Sequence, residues 1–363
     1  MTDMGLQLDY IIDPKAMFDM SVAIGKILVV LSLVLLLQVV VMRLYRRSRN
    51  ATKNRVNKCW RPVLSGLIYE AESELPKLRR KEVEFFLVEW NKYMETIQGD
   101  VTGRMIELIH RLELIPLVSK RLWSNRTRHF LLSMITLGNL RHKDAIDKVA
   151  QFLKHPSPIV SIIAARSLLK IDYNIGAILI INTIGQRTEW KTERVMELLK
   201  SGQGSDSLEY VILTAVTKFH KQRDVQSLAR TIPFMYLITQ ENSRHIKNKI
   251  LADPIDDKIL AEMLKVMISP RDAEFARSLA NHPRWHIRVQ VMRTLGRIGS
   301  REDLEFLVAG LKDSEWWVRY RAAEAIVNFP LVDESKIGQI KLQLNDCFAS
   351  DMLDHALAER AMQ

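Results

Sequence analysis

From Val22 to Met42 the chain reads VAIGKILVVLSLVLLLQVVVM, twenty-one residues with one charge, Lys26. Lys26 stands one turn in, where its aliphatic stem lets the ammonium snorkel outward. At 1.5 Å per residue the run is roughly 30 Å long, the thickness of a bilayer hydrocarbon core. A soluble helix is rarely apolar on every side over this length. A cleaved signal peptide has a shorter apolar core followed by small residues, and none follow here. Residues 22–42 therefore read as a single transmembrane helix.

The flanks orient it. Residues 1–21 carry Asp3, Asp9, Asp13 and Asp19 against Lys15 alone. Residues 43–61 carry Arg43, Arg46, Arg47, Arg49, Lys53, Arg55, Lys58 and Arg61 and no acid. The positive-inside rule then places the acidic head (1–21) outside and the bulk of the chain in the cytoplasm, at an inner membrane. This basic collar holds eight of the net +11 charges, and the 302 residues beyond it hold only +5. The charge is chiefly a juxtamembrane signal with affinity for anionic lipid headgroups. A folded body this weakly basic gives no support to nucleic-acid binding.

Beyond the collar, helical spacing dominates and almost nothing alternates with period two. Turn signals such as HPSP at 155, SPRD at 269, NHPR at 281 and KDSE at 312 cut the chain into helices of roughly 10–18 residues. Some segments repeat. HPRWHIRVQVMRTL (282–295) lies over DSEWWVRYRAAEAI (313–326) at an offset of 31, with Trp285 on Trp316, Ile287 on Val318, Arg288 on Arg319 and Leu295 on Ile326. HPSPIVSIIAARSL (155–168) takes the same register, and SNRTRHFLLSMITL (124–137) is a fourth copy. A helix, a tight turn and a second helix fill a unit of this length.

These copies resemble HEAT repeats, in particular the short bacterial kind related to phycobilisome-lyase-type repeats. The shared pattern is D-P-x-W/P-x-V-R followed by x-x-A-A-x-A-L, with Ser314 in place of the proline. The match is close over 281–329, fair over 124–170 and weak over 172–280. The expected fold is all-α: a single transmembrane helix, then an α-solenoid of helix pairs. The expected boundaries are a collar at 43–61, a helical connecting region at 62–118 and the solenoid at 119–363. Span, collar and repeats together look like membrane-anchored bacterial HEAT proteins found beside membrane glycosyltransferases of cell-envelope polysaccharide pathways. A glycosyltransferase partner is implied by that resemblance alone.

A helical wheel, about 100° per residue, sorts the repeat helix. Val318, Ala322, Ala325, Ile326 and Phe329 form the core stripe. Trp316, Tyr320, Ala323 and Val327 form a second apolar face, as a solenoid helix needs. Trp316 and Trp285 are accordingly expected between helices. Arg319, and Arg288 one repeat earlier, lie between the two faces, where a guanidinium needs a partner; Asp303 and Asp313 are the candidate acids. Trp317 shares a polar stripe with Arg321, Glu324 and Asn328, and the preceding repeat sets His286, Gln290, Arg293 and Arg297 in the same register. Trp317, Arg321, His286, Arg293 and Arg297 are thus the candidate partner-binding residues. The plainer alternative for Trp317 is cover by a loop or by residues 330–363.

Catalytic signatures are absent. There is no G-x-x-x-x-G-K-S/T and no H-E-x-x-H, and GQGSDS lacks the strand and third glycine of a dinucleotide loop. His282 and His286 are four apart, but a cap position and Pro283 intervene, so they do not read as metal ligands. Cys59 and Cys347 form no C-x-x-C pair. Some HEAT relatives are di-iron hydroxylases built on His-Glu dipeptides, and this chain has none. No cofactor is expected. The favoured function is a non-catalytic, membrane-tethered scaffold for a protein partner. The alternative is a lyase-like or nucleotide-sensing protein that takes an anion on Arg293, Arg297 and Arg321.

Overall fold

The computed structural model describes residues 14–69, 74–97, 99–330, 332–344 and 346–362. The acids Asp3, Asp9 and Asp13 of the expected outer head lie outside the described residues. Every described element is helical, with no strand among them. The chain divides into two compact units, Met1–Thr136 and Leu137–Gln363.

Unit 1 begins with α1 (Pro14–Gly66), a helix of 53 residues. From Val22 onward it is long and apolar enough to cross a membrane, and none of the side chains in its most apolar stretch is buried. Past the apolar stretch α1 acquires a buried stripe, Val56, Trp60, Val63 and Leu64, at helical spacing. That stripe packs on α2 (Val83–Thr96), whose own stripe is Val83, Phe86, Leu87, Trp90 and Met94. Trp60 meets Phe86 edge-on at 4.6 Å. Three collar arginines pair with α2 and its N-cap: Arg49 with Glu84 at 3.0 Å, Arg55 with Glu82 at 3.4 Å and Arg61 with Glu89 at 3.2 Å. Ser65 and Tyr93 hydroxyls lie 3.0 Å apart. The pairs 49/84, 61/89 and 65/93 advance together, so α2 runs in the same direction as α1. The helices α3 (Asp100–Arg111) and α4 (Ile115–Arg121) and most of α5 (Thr127–Asn139), as far as Thr136, complete the unit, with Trp90 Nε1 donating to Met105 O at 2.9 Å.

Unit 2 continues with α6 (Ile146–Ala150), α7 (Pro158–Ile171), α8 (Tyr173–Thr183), α9 (Thr192–Leu199), α10 (Asp206–Lys221), α11 (Val225–Thr231), α12 (Gln240–Leu251) and α13 (Asp257–Val266). It ends in three helix pairs: α14 (Ala273–Ser278) with α15 (Trp285–Ile298), α16 (Asp303–Gly310) with α17 (Trp316–Val327), and α18 (Glu334–Leu344) with α19 (Cys347–Ala361). One core, including Leu264, Ile287, Val291, Leu295, Val318, Ala322, Ile326 and Leu353, runs through these pairs.

All four sequence copies start with one local device. The first residue's side chain accepts the backbone N–H two residues on: Ser124 from Arg126, His155 from Ser157, His282 from Arg284 and Asp313 from Glu315, at 2.9–3.3 Å. Each helix then begins three residues after that side chain, at Thr127, Pro158, Trp285 and Trp316. A short polar side chain that mimics a backbone turn sets the entry of the helix. This fixes the register of the repeat independently of its apolar pattern.

Candidate functional site

The helices α15 and α17 pack side by side at an unusually close point. A Cβ on Gly296 would lie 2.5 Å from that of Ala325. Above this point the two polar stripes diverge and leave an open groove of about 430 Å³. From α15 come Gln290, Arg293 and Arg297, and from α17 and its C-cap come Arg321, Glu324 and Asn328. Lys265, at the end of α13, and Tyr236 close the far side. Three of the five residues singled out from sequence, Arg293, Arg297 and Arg321, therefore share one groove. Trp317 and His286 are not in its lining; they stand four residues before Arg321 and Gln290 on the same helices.

The four cations are held differently. Arg297 Nη2 donates to three carbonyls at the end of α13: Met267 O at 2.7 Å, Lys265 O at 2.9 Å and Leu264 O at 3.4 Å. A cation there caps the carbonyls that a helix terminus leaves free. Arg321 pairs with Glu324 at 2.5 Å and lies 5.2 Å over the Tyr320 ring. Lys265 reaches Glu262 at 2.7 Å. Arg293 is exposed and makes no hydrogen bond or ion pair among the described residues. The groove thus presents four cations to one lining carboxylate.

The tryptophans differ from the expectation. Trp285 and Trp316 are 43% and 46% exposed, against 51% for Trp317. Both are the first residue of their helix, where the neighbouring helices have not yet closed over the ring. Trp316 stacks flat on Tyr320, with centroids 5.3 Å apart and planes 4° from parallel. Tyr320 in turn donates to Glu359 at 2.8 Å. Trp316 and Trp285 are therefore half-exposed platforms rather than wedges between helices.

The arginine pairings are uneven too. Arg288 donates to both carboxylate oxygens of Asp313, at 2.7 Å each, and to His282 O at 2.9 Å. These hydrogen bonds raise the Arg288 pKa further above its ordinary value. Asp303 is fully buried and paired not with Arg319 but with Arg277, at 2.6 and 3.1 Å. Among the described residues Arg319 meets no acid: its Nη1 donates to Asp313 O and Ser314 O at 2.7 and 3.1 Å, and its buried Nε has no hydrogen-bond partner. The expected carboxylate partner of Arg319 is thus corrected to a pair of carbonyls. In register, the acid one repeat on would stand at Leu344, whose side chain has no hydrogen-bond acceptor. In the 155 copy Ser161 occupies the arginine position. There Arg187, from the segment after α8, reaches back to His155 O and Ser161 Oγ, both at 2.8 Å.

The flanking arginines Arg43, Arg46 and Arg47 are exposed, whereas Arg49 is tied to Glu84. Among the described residues no cluster of three or more His, Cys, Asp or Glu is spaced to hold a metal. Cys59 is half-buried and Cys347 exposed, both free.

No curated protein matches this sequence. A solved structure of an engineered protein from a structural genomics consortium is similar at 16% identity over 82% of this chain and 88% of that one, with a TM-score of 0.33. The family model for HEAT repeats matches residues 249–327, the segment that runs from the end of α12 to the end of α17 and supplies all of the groove except Tyr236 and Asn328.

Proposed function

We propose that this chain is a protein-interaction scaffold held at a membrane by α1, and that its partner lays an acidic segment into the groove between α15 and α17. The observation that carries this reading is the groove's charge: Lys265, Arg293, Arg297 and Arg321 against Glu324, with Arg293 unengaged. HEAT repeats support a scaffold reading, because stacked helix pairs offer extended binding faces rather than a catalytic centre. Trp317, exposed one turn from Arg321, adds an aromatic anchor of the kind that dominates interface energies. Tethering would raise the effective concentration of the partner at the membrane without any new contact. The collar supports an orientation with the repeats on the cytoplasmic side of an inner membrane. The resemblance described above suggests a membrane glycosyltransferase as the partner.

The test is affinity capture by the full-length chain from detergent-solubilised membranes. The wild type should retain one stoichiometric protein, and Arg293→Glu should lose it while folding normally. Undiminished capture by Arg293→Glu would remove the groove from the interface. A second reading has its own support: about 430 Å³ is within the range of small-molecule sites. A phosphorylated small molecule would then titrate the wild type and not the variant, with no protein retained by either.

A further inference from the structure

The membrane-proximal end of unit 1 holds a second cationic site, built from parts far apart in sequence. Glu84, at the start of α2, receives Arg49 at 3.0 Å, Arg128 at 2.7 Å and His129 at 3.5 Å. Arg121 is close enough to be influenced by both Glu84 and Arg80. Burial, more than those charges, pulls the Arg121 pKa down, and its buried Nη1 has no hydrogen-bond partner among the described residues. Arg49, Arg128 and His129 therefore converge on Glu84, Arg121 lies near it, and Arg80 lies near Arg121. Arg80 and Arg128 are exposed, and Arg80 has no partner among the described residues.

The axial level of this cluster is fixed by Arg49. Its Nη1 lies 3.3 Å from the hydroxyl of Tyr45 and its Nη2 3.0 Å from Glu84. Long side chains on a helix lean toward its N-terminus, which here is the apolar end. Tyr45 is only three residues past Met42, about 5 Å along the axis. The hydrocarbon core and headgroup layers differ by roughly 5–8 Å on each side. A group at the level of Tyr45 is therefore in the headgroup layer if residues 22–42 span the bilayer, and tyrosine is favoured at that depth.

We infer that Arg80 and Arg128, backed by Arg49 and Arg121, clamp the phosphate of an anionic lipid headgroup at the membrane surface. This rests on the membrane reading of α1 and adds a specific lipid contact from outside the collar. Glu84 holds Arg49 and Arg128 without neutralising both, since one carboxylate meets two guanidiniums. Guanidinium forks match phosphate oxygens in pairs, and Arg80 and Arg128 are the two of these arginines that are exposed. The lipid would also bridge the start of α2 and the start of α5, fixing unit 1 against the bilayer.

The experiment uses the full-length chain in neutral detergent with equal phosphatidylcholine and phosphatidylglycerol, and counts retained lipids by native mass spectrometry. The wild type should retain phosphatidylglycerol over phosphatidylcholine by about tenfold or more. Arg80→Gln, which breaks no contact, should reduce that preference about fivefold, and adding Arg128→Gln should reduce it further, to the level that the exposed collar arginines Arg43, Arg46 and Arg47 supply. Exposed lysines elsewhere, Lys191→Gln with Lys312→Gln, should change nothing. Equal retention of both lipids by the wild type, or a preference unaltered in Arg80→Gln, would overturn the clamp. Displacement of phosphatidylglycerol by millimolar inorganic phosphate would overturn the lipid assignment and leave a free-phosphate site. Release of the chain from membranes by alkaline carbonate would instead remove the membrane reading itself, whatever the lipid count, so the two failures are told apart.

Discussion

Asp313 accepts two hydrogen bonds of 2.7 Å from Nε and Nη2 of Arg288, an arginine one repeat earlier, and the two side chains are 12% and 13% exposed. The same aspartate also sets the turn into α17 through the Glu315 N–H. One carboxylate thus joins a repeat to its neighbour and starts a helix. Arg288→Ala would leave it nearly buried without its cation, at a cost of about 2–3 kcal/mol, less than a fully buried pair would show. Arg319→Ala strands no acid and loses only bonds to two carbonyls, so about 1 kcal/mol is expected. The chemical unfolding midpoints of the two variants should be clearly separated, and equal losses would mean that the Asp313 pair contributes little.

Acid should weaken the repeats through the same groups. Burial alone would raise the pKa of Asp303 and Asp313. The hydrogen bonds from Arg277 and Arg288, with the Ser300 and Glu315 N–H groups, outweigh it and hold both carboxyls below their ordinary value. A depressed folded pKa contributes stability that is complete above the unfolded value, near 3.9, and is lost as pH falls through that value toward the folded one. Unfolding midpoints should be flat with respect to these groups from pH 7 to about pH 5 and fall below about pH 4. Asp303→Asn should lower stability at pH 7 and flatten the acid limb. An acid limb as steep as that of the wild type would assign it to other groups.

The parts legible from sequence are those fixed by local chemistry. The turn residues Ser124, His155, His282 and Asp313 are written in one register because each acts within three residues of itself. The stripe of Arg293, Arg297 and Arg321 was legible because helical azimuth follows from spacing. Azimuth does not say what lies overhead. Trp316 has the azimuth of a packed residue, yet at the first position of α17 it is left 46% exposed, with Tyr320 of its own helix stacked on one face. Lys265 and Tyr236, the far side of the groove, come from a stretch that departs from the repeat pattern. Arg187 does the work of Arg288 for the His155 turn from 32 residues away, across two helices, and no periodicity signals it. The pairing of Arg49, Arg55 and Arg61 with α2 was hidden for the same reason: a run of cations reads as one collar until a partner helix divides it.

Gly296 makes the groove possible. A methyl there would press on the Ala325 Cβ, which is itself in the floor of the groove. Gly296→Ala should destabilise by about 1–3 kcal/mol, even though alanine is the better helix former by about 1 kcal/mol. Gly338 in α18 is the control, because a Cβ there meets nothing within 4 Å. Gly338→Ala should raise stability by about 0.5–1 kcal/mol. Opposite shifts in melting temperature check the argument, and a neutral Gly296→Ala would mean that α15 and α17 can separate freely at that point.

The adjacent tryptophans of α17 test fold and function together. Their exposures are close, 46% and 51%, so neither ring is a large part of the core. Trp316 alone is stacked flat on a neighbour, Tyr320, and such pairs are worth about 0.5–1.5 kcal/mol beyond burial. Trp316→Ala should therefore cost about 1–2 kcal/mol and Trp317→Ala less than about 1 kcal/mol. The capture experiment should order them the other way. Trp317 stands one turn from Arg321 on the stripe that leads into the groove, and an exposed indole beside arginines is the anchor an acidic partner would cover. Trp317→Ala should weaken capture at unchanged stability, while Trp316→Ala, read below its melting temperature, should retain it. Loss of capture in Trp316→Ala with retention in Trp317→Ala would move the interface from the groove stripe to the aromatic platform formed by Trp316 and Tyr320, which Tyr320 ties to Glu359 of α19.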